Sequence, residues 1–198
     1  DELNRASPKT QSALLESMEE NTVTIDRHTR KLPSPFFVIA TQNPSQYIGT
    51  FPIPESQLDR FSIKVQLNYP HLEKEQEIFS QANLKPINKI KAGVLSIEEL
   101  VELQKLVETV HVSEKIVQCV QAVVNESRMD ENIKLGISTR GGIHWIRLAK
   151  GIAILSGRNF VTPDDLLTVS YHCLMHRMIF YKEPSILDLE KLLRKMDI

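Results

Sequence analysis

Phe36-Phe37-Val38-Ile39-Ala40-Thr41, closed by Gln42-Asn43-Pro44, is the stretch on which the fold turns. A continuous apolar run of strand length, stopped by a turn signal, predicts a central parallel strand covered on both faces. Behind it, Thr22-Val23-Thr24-Ile25-Asp26 and Arg30-Lys31-Leu32 predict a β-hairpin with its tip at Arg27-His28-Thr29. Earlier still, Ser7 as cap, Pro8 at the first helical position and the stripe Ala13, Leu14, Leu15, Met18 predict a helix over 7–20. After the strand, Gly49, Pro52 and Pro54 mark a loop, and residues 55–61 predict a short helix. Ile63, Val65 and Leu67 alternate with polar residues as a half-buried strand does. Asn68-Tyr69-Pro70 ends that strand, and the domain boundary is placed there, dividing 1–70 from 71–198.

Everything beyond reads as helix. Residues 71–82 predict the first helix, and the capping box Ser96-Ile97-Glu98-Glu99 opens the second. Ser113 caps a third, which carries Ile116, Val117, Val120 and Val124. Residues 140–156 carry Ile143, Ile146, Leu148, Ile152 and Leu155 and stop at Gly157. Thr162-Pro163-Asp164-Asp165 starts a fifth helix running to about 177, and residues 185–195 add a short sixth. Asp164 and Asp165 fit the cap and dipole of their helix rather than a catalytic pair. His172 and His176 share a helix face, but no third ligand has suitable spacing, so a packed core helix is expected rather than a zinc site.

The composition excludes several classes. With 41% apolar and 25% charged residues, the 198-residue chain is an ordinary soluble globular protein able to bury a core. A net charge of −1 without a Lys/Arg stripe gives no footprint for nucleic acid or a membrane surface. That argues against a helicase-like DNA motor. No apolar run approaches the roughly 18 residues of a spanning helix. Cys119 and Cys173 lie far apart inside apolar helical patterns and read as buried thiols in a reducing cytoplasm.

The chemistry resides in a few scattered side chains. Asp1-Glu2 precedes the first helix, and Asn43 stands just past the apolar strand. Phosphate chemistry is often arranged in this way, with carboxylates holding Mg²⁺ and a water while an amide orients the reacting group. The glycine-rich loop that cradles phosphates, G-x-x-x-x-G-K-[ST], is absent from the sequence. Taken singly, Asp1-Glu2 is a solvated pair, Asn43 a turn residue, Arg60 an exposed helix charge and Arg140 the first residue of its helix. Their order along the chain changes that reading: acidic pair, helix, hairpin, strand ending in Asn, Leu58-Asp59-Arg60-Phe61, strand, then a helical bundle with Ser138-Thr139-Arg140 at a helix start.

On these residues the sequence resembles the MoxR family of AAA+ ATPases. The matching stretches are Asp1 to Ala6, Lys9 to Glu20, Phe37 to Pro44, Gly49 to Phe61 and Val161 to Asp165. The resemblance implies the C-terminal part of an AAA+ α/β parallel-sheet nucleotide-binding domain followed by an all-helical lid. The chain would then start at the end of the Walker B motif, with the phosphate-loop part missing and no activity on its own. Asp1 would bind Mg²⁺ through its water shell, and Glu2 would act as general base. Asn43 would be the sensor 1 amide, and Arg60 the arginine finger given to the ATP of a neighbouring subunit. Arg140 would be sensor 2, reaching the γ-phosphate of its own subunit from a helix N-terminus that favours anions. The resemblance further implies a homo-oligomeric ring, expected as a hexamer, that hydrolyses ATP to remodel client proteins, with von Willebrand factor A domain proteins among its partners. The rival reading is a non-catalytic interaction module carrying relic motifs. Against it, Glu2, Asn43 and Arg60 are all chemically competent.

Overall fold

The computed structural model describes residues 1–43, 49–80 and 93–196. After a 3₁₀ turn at Leu3–Arg5, helix α1 runs Pro8–Glu20. Ser7 starts it by accepting from Thr10 N at 3.3 Å, with Pro8 in the first turn, and Asn21 in the left-handed region ends it. Strands β1, Thr22–Ile25, and β2, His28–Lys31, then pair antiparallel. The hairpin turn lies at Asp26-Arg27, not at 27–29, because both residues take positive φ (50° and 66°) and Ile25 faces His28 in register. Two left-handed turn residues match the right-handed twist of the strands, so a two-residue loop wins over a longer polar tip.

The expected parallel strand is a second correction. Residues 36–41 run without a ladder, and the sheets among the described residues are two antiparallel pairs. Exposure alternates along the run, leaving Phe37 and Ile39 bare at 80% and 78% while Phe36, Val38 and Ala40 are half-buried. A strand exists only through its neighbours. This run is tied at its end, where Leu3 N donates to Thr41 O at 2.9 Å. Residues 63–67 likewise carry no strand; Lys64 N instead donates to His172 O at 2.8 Å.

The helix expected over 55–61 shortens to α2, Glu55–Leu58. Helix α3 is Leu72–Ser80; the end predicted at 82 lies outside the described residues, as does Pro44. Helix α4, Ile97–Thr109, opens with the predicted box, Ser96 N donating to Glu99 at 2.7 Å and Glu99 N to Ser96 Oγ at 3.1 Å. Helix α5 spans Glu114–Met129 and α6 Thr139–Leu155, with Gly157 beyond it at φ +71°. Helix α7 is Pro163–Leu174, a 3₁₀ turn follows at Met175–Arg177, and α8 is Ile186–Leu193. The sequence reading missed a two-stranded pair, β3 Ile133–Leu135 with β4 Ile179–Phe180.

The core belongs to the helical part. Val120, Val123 and Val124 of α5, Trp145, Ala149 and Ala153 of α6, Leu166, Cys173 and Leu174 of α7, and Leu189 and Leu192 of α8 form one buried cluster. The face α6 buries is its small one, Gly141, Gly142, Ala149 and Ala153 around Trp145, whereas Ile143 and Leu155 are exposed. Small residues admit close neighbours: a Cβ on Gly142 would already touch Val120 and Val124 at 3.5 Å. Trp145 Nε1 donates to Leu166 O at 2.8 Å inside the core, pinning α6 to α7. Cys173 is fully buried, and desolvation pushes its thiol up to about 11; Cys119 is half-buried, with its Sγ 3.0 Å from Met196 O. Among the described residues, no helix is long and apolar enough to cross a membrane.

Candidate active site

The predicted residues fall into two groups. At one end, Thr41 gathers the chain start: its hydroxyl donates to Asp1 Oδ1 and accepts from Glu2 N at 2.8 Å. Glu2 takes φ 48°, unusual for a residue with a Cβ. Its Oε2 meets Arg5 Nε at 2.8 Å in a half-exposed pair that contributes little to stability. Asn43 follows two residues after Thr41, hence within about 7 Å along an extended chain.

At the other end, both predicted arginines converge on one carboxylate. Arg60 reaches from just past α2 to Glu19 and also donates to Leu15 O at 3.1 Å. Arg140, in the first turn of α6, meets the other Glu19 oxygen at 2.7 Å. Met18, Glu19, Arg60, Arg140, His144 and Arg147 line a cleft of about 210 Å³. Three guanidiniums against one carboxylate leave net positive charge there. Arg60 Nε is buried without a partner, so the site retains a donor for an incoming anion. His144 completes the wall, its Nδ1 2.9 Å from Ser62 Oγ; burial, then Arg177 and Arg147, lower its pKa.

Behind Arg60 lies a network that the sequence did not announce. Arg177 has a fully buried side chain, and its Nε donates to Asp59 Oδ1 at 3.1 Å. Its terminal nitrogens donate to the carbonyls of Asp59 (3.1 Å), Phe61 (2.6 Å), Ser62 (3.2 Å) and Cys173. Burial lowers the Arg177 pKa, and Asp59 opposes the shift. Ser138, which caps α6 by accepting from Gly141 N at 2.9 Å, also donates to the Asp59 carboxylate at 2.8 Å. His172 and His176 face backbone: His172 Nδ1 lies 3.1 Å from Lys64 O and His176 Nε2 3.0 Å from Phe61 O.

Comparison with known proteins places this architecture. Residues 1–63 match the ATPase family associated with various cellular activities (AAA), and residues 125–194 match the AAA lid domain. An AAA ATPase core segment followed by its lid is the class these two regions define. YeaC of Bacillus subtilis (strain 168), a protein of uncharacterised role, is 43% identical over 92% of this chain and 57% of its own length. Chaperone MoxR1 of Mycobacterium tuberculosis is 37% identical over 90% of this chain and 49% of its own. A crystal structure of a Cytophaga hutchinsonii protein assigned as an ATPase superposes with a TM-score of 0.88 at 34% identity, covering 98% of this chain and 64% of that one. The chain belongs to the MoxR-type AAA+ ATPases. It spans about half the length of the curated relatives it matches.

Proposed function

We propose that the protein containing this chain hydrolyses ATP at the interfaces of a homo-oligomeric ring, a hexamer, and uses the energy to remodel client proteins. The observation that carries this reading is the convergence of Arg60 and Arg140 on Glu19 beside a positively charged cleft, an arrangement suited to a polyphosphate. Residues 1–70 serve as the α/β core segment and 71–198 as the lid. Lacking a phosphate loop in its sequence, the 198-residue chain alone is inactive.

The acidic end fits a hydrated magnesium ion. Thr41 occupies one Asp1 oxygen and leaves the other, and Mg²⁺ usually keeps several waters while taking one or two carboxylates beside phosphate oxygens. When bound, the ion offsets charge on the β- and γ-phosphate oxygens. Glu2, held through one oxygen by Arg5, uses the other to accept a proton from the attacking water. Asn43 orients that water. Arg60 contacts the γ-phosphate of a neighbouring subunit, where a finger of this kind is worth on the order of 10³–10⁵ in rate. Arg140 supplies a second guanidinium. The family resemblance assigns it to its own subunit's nucleotide, but the shared Glu19 supports one phosphate-bearing ligand for the pair.

The name of the Mycobacterium relative supports a chaperone role, and family resemblance supports partners with von Willebrand factor A domains. Two free thiols accord with work in the cytoplasm. In the full-length protein, Glu2→Gln is expected to retain ATP binding in calorimetry while phosphate release falls to background. Unchanged release would remove Glu2 from the mechanism.

A further inference from the structure

Arg177 binds several groups at once. Its guanidinium ends on the carboxylate and carbonyl of Asp59 and on the carbonyls of Phe61 and Ser62, so its acceptors flank Arg60 on both sides. On the way it crosses the start of α6. A Cβ built on Gly141 would fall 2.8 Å from Arg177 Cδ and 2.9 Å from Ile137 Cγ2, closer than packed atoms approach. Gly141 directly follows Arg140, and Ser138 before it binds the same Asp59 carboxylate. The turn carrying Arg60 and the helix start carrying Arg140 are thus joined through one buried cation.

Filling that space does not require a cation, since well-packed apolar residues replace buried ion pairs without loss in many folds. What a guanidinium adds is a rigid planar fork that fixes several acceptors in direction as well as distance. Here those acceptors are the backbone oxygens that set the path of residues 59–62. We propose that Arg177 is a positioning residue for Arg60: it locks the finger-bearing turn to the lid, so that the Arg60 guanidinium is presented in register with Arg140 and follows the lid when the lid moves. This rests on the reading of Arg60 as a finger acting across a subunit interface.

The test uses the full-length protein, phosphate release and co-assembled rings. Arg177→Lys keeps the charge near Asp59 and loses the fork. It is expected to lower kcat about 10–100-fold, the range that small misplacements of catalytic groups produce. KM for ATP should stay within about threefold, because the finger acts in the transition state more than in binding. Co-assembly with Glu2→Gln subunits should restore turnover well above either variant alone, since those subunits cannot hydrolyse but still present an intact finger. Arg60→Ala co-assembled with Glu2→Gln is the reference and should recover likewise. A folded Arg177→Lys variant with normal kcat overturns the proposal. So does a defect that co-assembly fails to restore while the Arg60→Ala reference recovers. If the reference itself fails to recover, the finger assignment falls and this proposal with it. Should Arg177→Lys not fold, Gly141→Ala decides by the same outcomes, because its methyl displaces the Arg177 stem, with Ile137→Val freeing room for its second close contact to yield.

Discussion

His176 is kept without its second ring proton by its surroundings. Burial, then the adjacent Arg177 guanidinium, push its pKa from 6.5 down to about 4. Between these values the unfolded chain takes up a proton that the folded imidazole refuses, so acid favours unfolding. The contribution is whole above pH 6.5 and lost as the pH falls to 4, on the order of 3 kcal/mol. His176→Gln should therefore flatten the decline of the urea midpoint across that window, and an equally steep decline in the variant would assign the acid sensitivity elsewhere. At this scale the sequence pointed to two residues that the structure brings together, an arginine in Leu58-Asp59-Arg60-Phe61 and one in a Ser-Thr-Arg helix start. Glu19 was not legible, being one of several glutamates on α1, and its contacts with the distant Arg60 and Arg140 are what single it out. Arg177 was hidden for a related reason. Its partners are mostly backbone oxygens, which carry no sequence signature.

Capping chemistry translated from sequence to structure with little loss, because a cap is satisfied within four residues. Asp165 shows how much one such residue can hold. It is buried, accepts from Thr162 N at 2.7 Å and binds both terminal nitrogens of Arg158 at 2.6 and 2.8 Å. The Arg158 hydrogen bond holds its carboxyl below the usual range against the cost of burial. Asp165→Ala is expected to lower stability by about 1–3 kcal/mol in urea unfolding. Asp164→Ala, at an exposed neighbouring position, should stay within about 0.5 kcal/mol. Equal effects would show that first-turn charge, not the bonded cap, stabilises α7. Strands were less legible than helices. The period-2 pattern of residues 63–67 specifies a face, yet a ladder needs a partner that the pattern does not name. The apolar stripe of α6 misled in a different way, since close packing selected its small residues rather than its large ones.

Across the whole molecule, buried and bare apolar surface are unevenly shared. The main core lies within 110–196, whereas Phe37, Ile39, Val65 and Leu67 stand exposed in the segments 36–41 and 63–67. Extended backbone with unpaired groups and apolar side chains templates new pairing. The 198-residue chain is therefore expected to self-associate, and Phe37→Glu with Ile39→Lys should shift it toward a single species in light scattering. A wild-type chain strictly monomeric at high concentration would contradict this. The class of fold was legible because order along the chain is itself a signature; the bareness of 36–41 was not, since an apolar run does not say whether its cover is present. The buried cation at the lid joint has a mechanical corollary. The Arg177 side chain is fully buried, so its bonds are not open to exchange with solvent and the joint is stiff. A torque on the helical bundle either swings residues 59–62 as a stiff lever or snaps the linkage outright, which is how a hinge behaves when built to transmit force and not to absorb it.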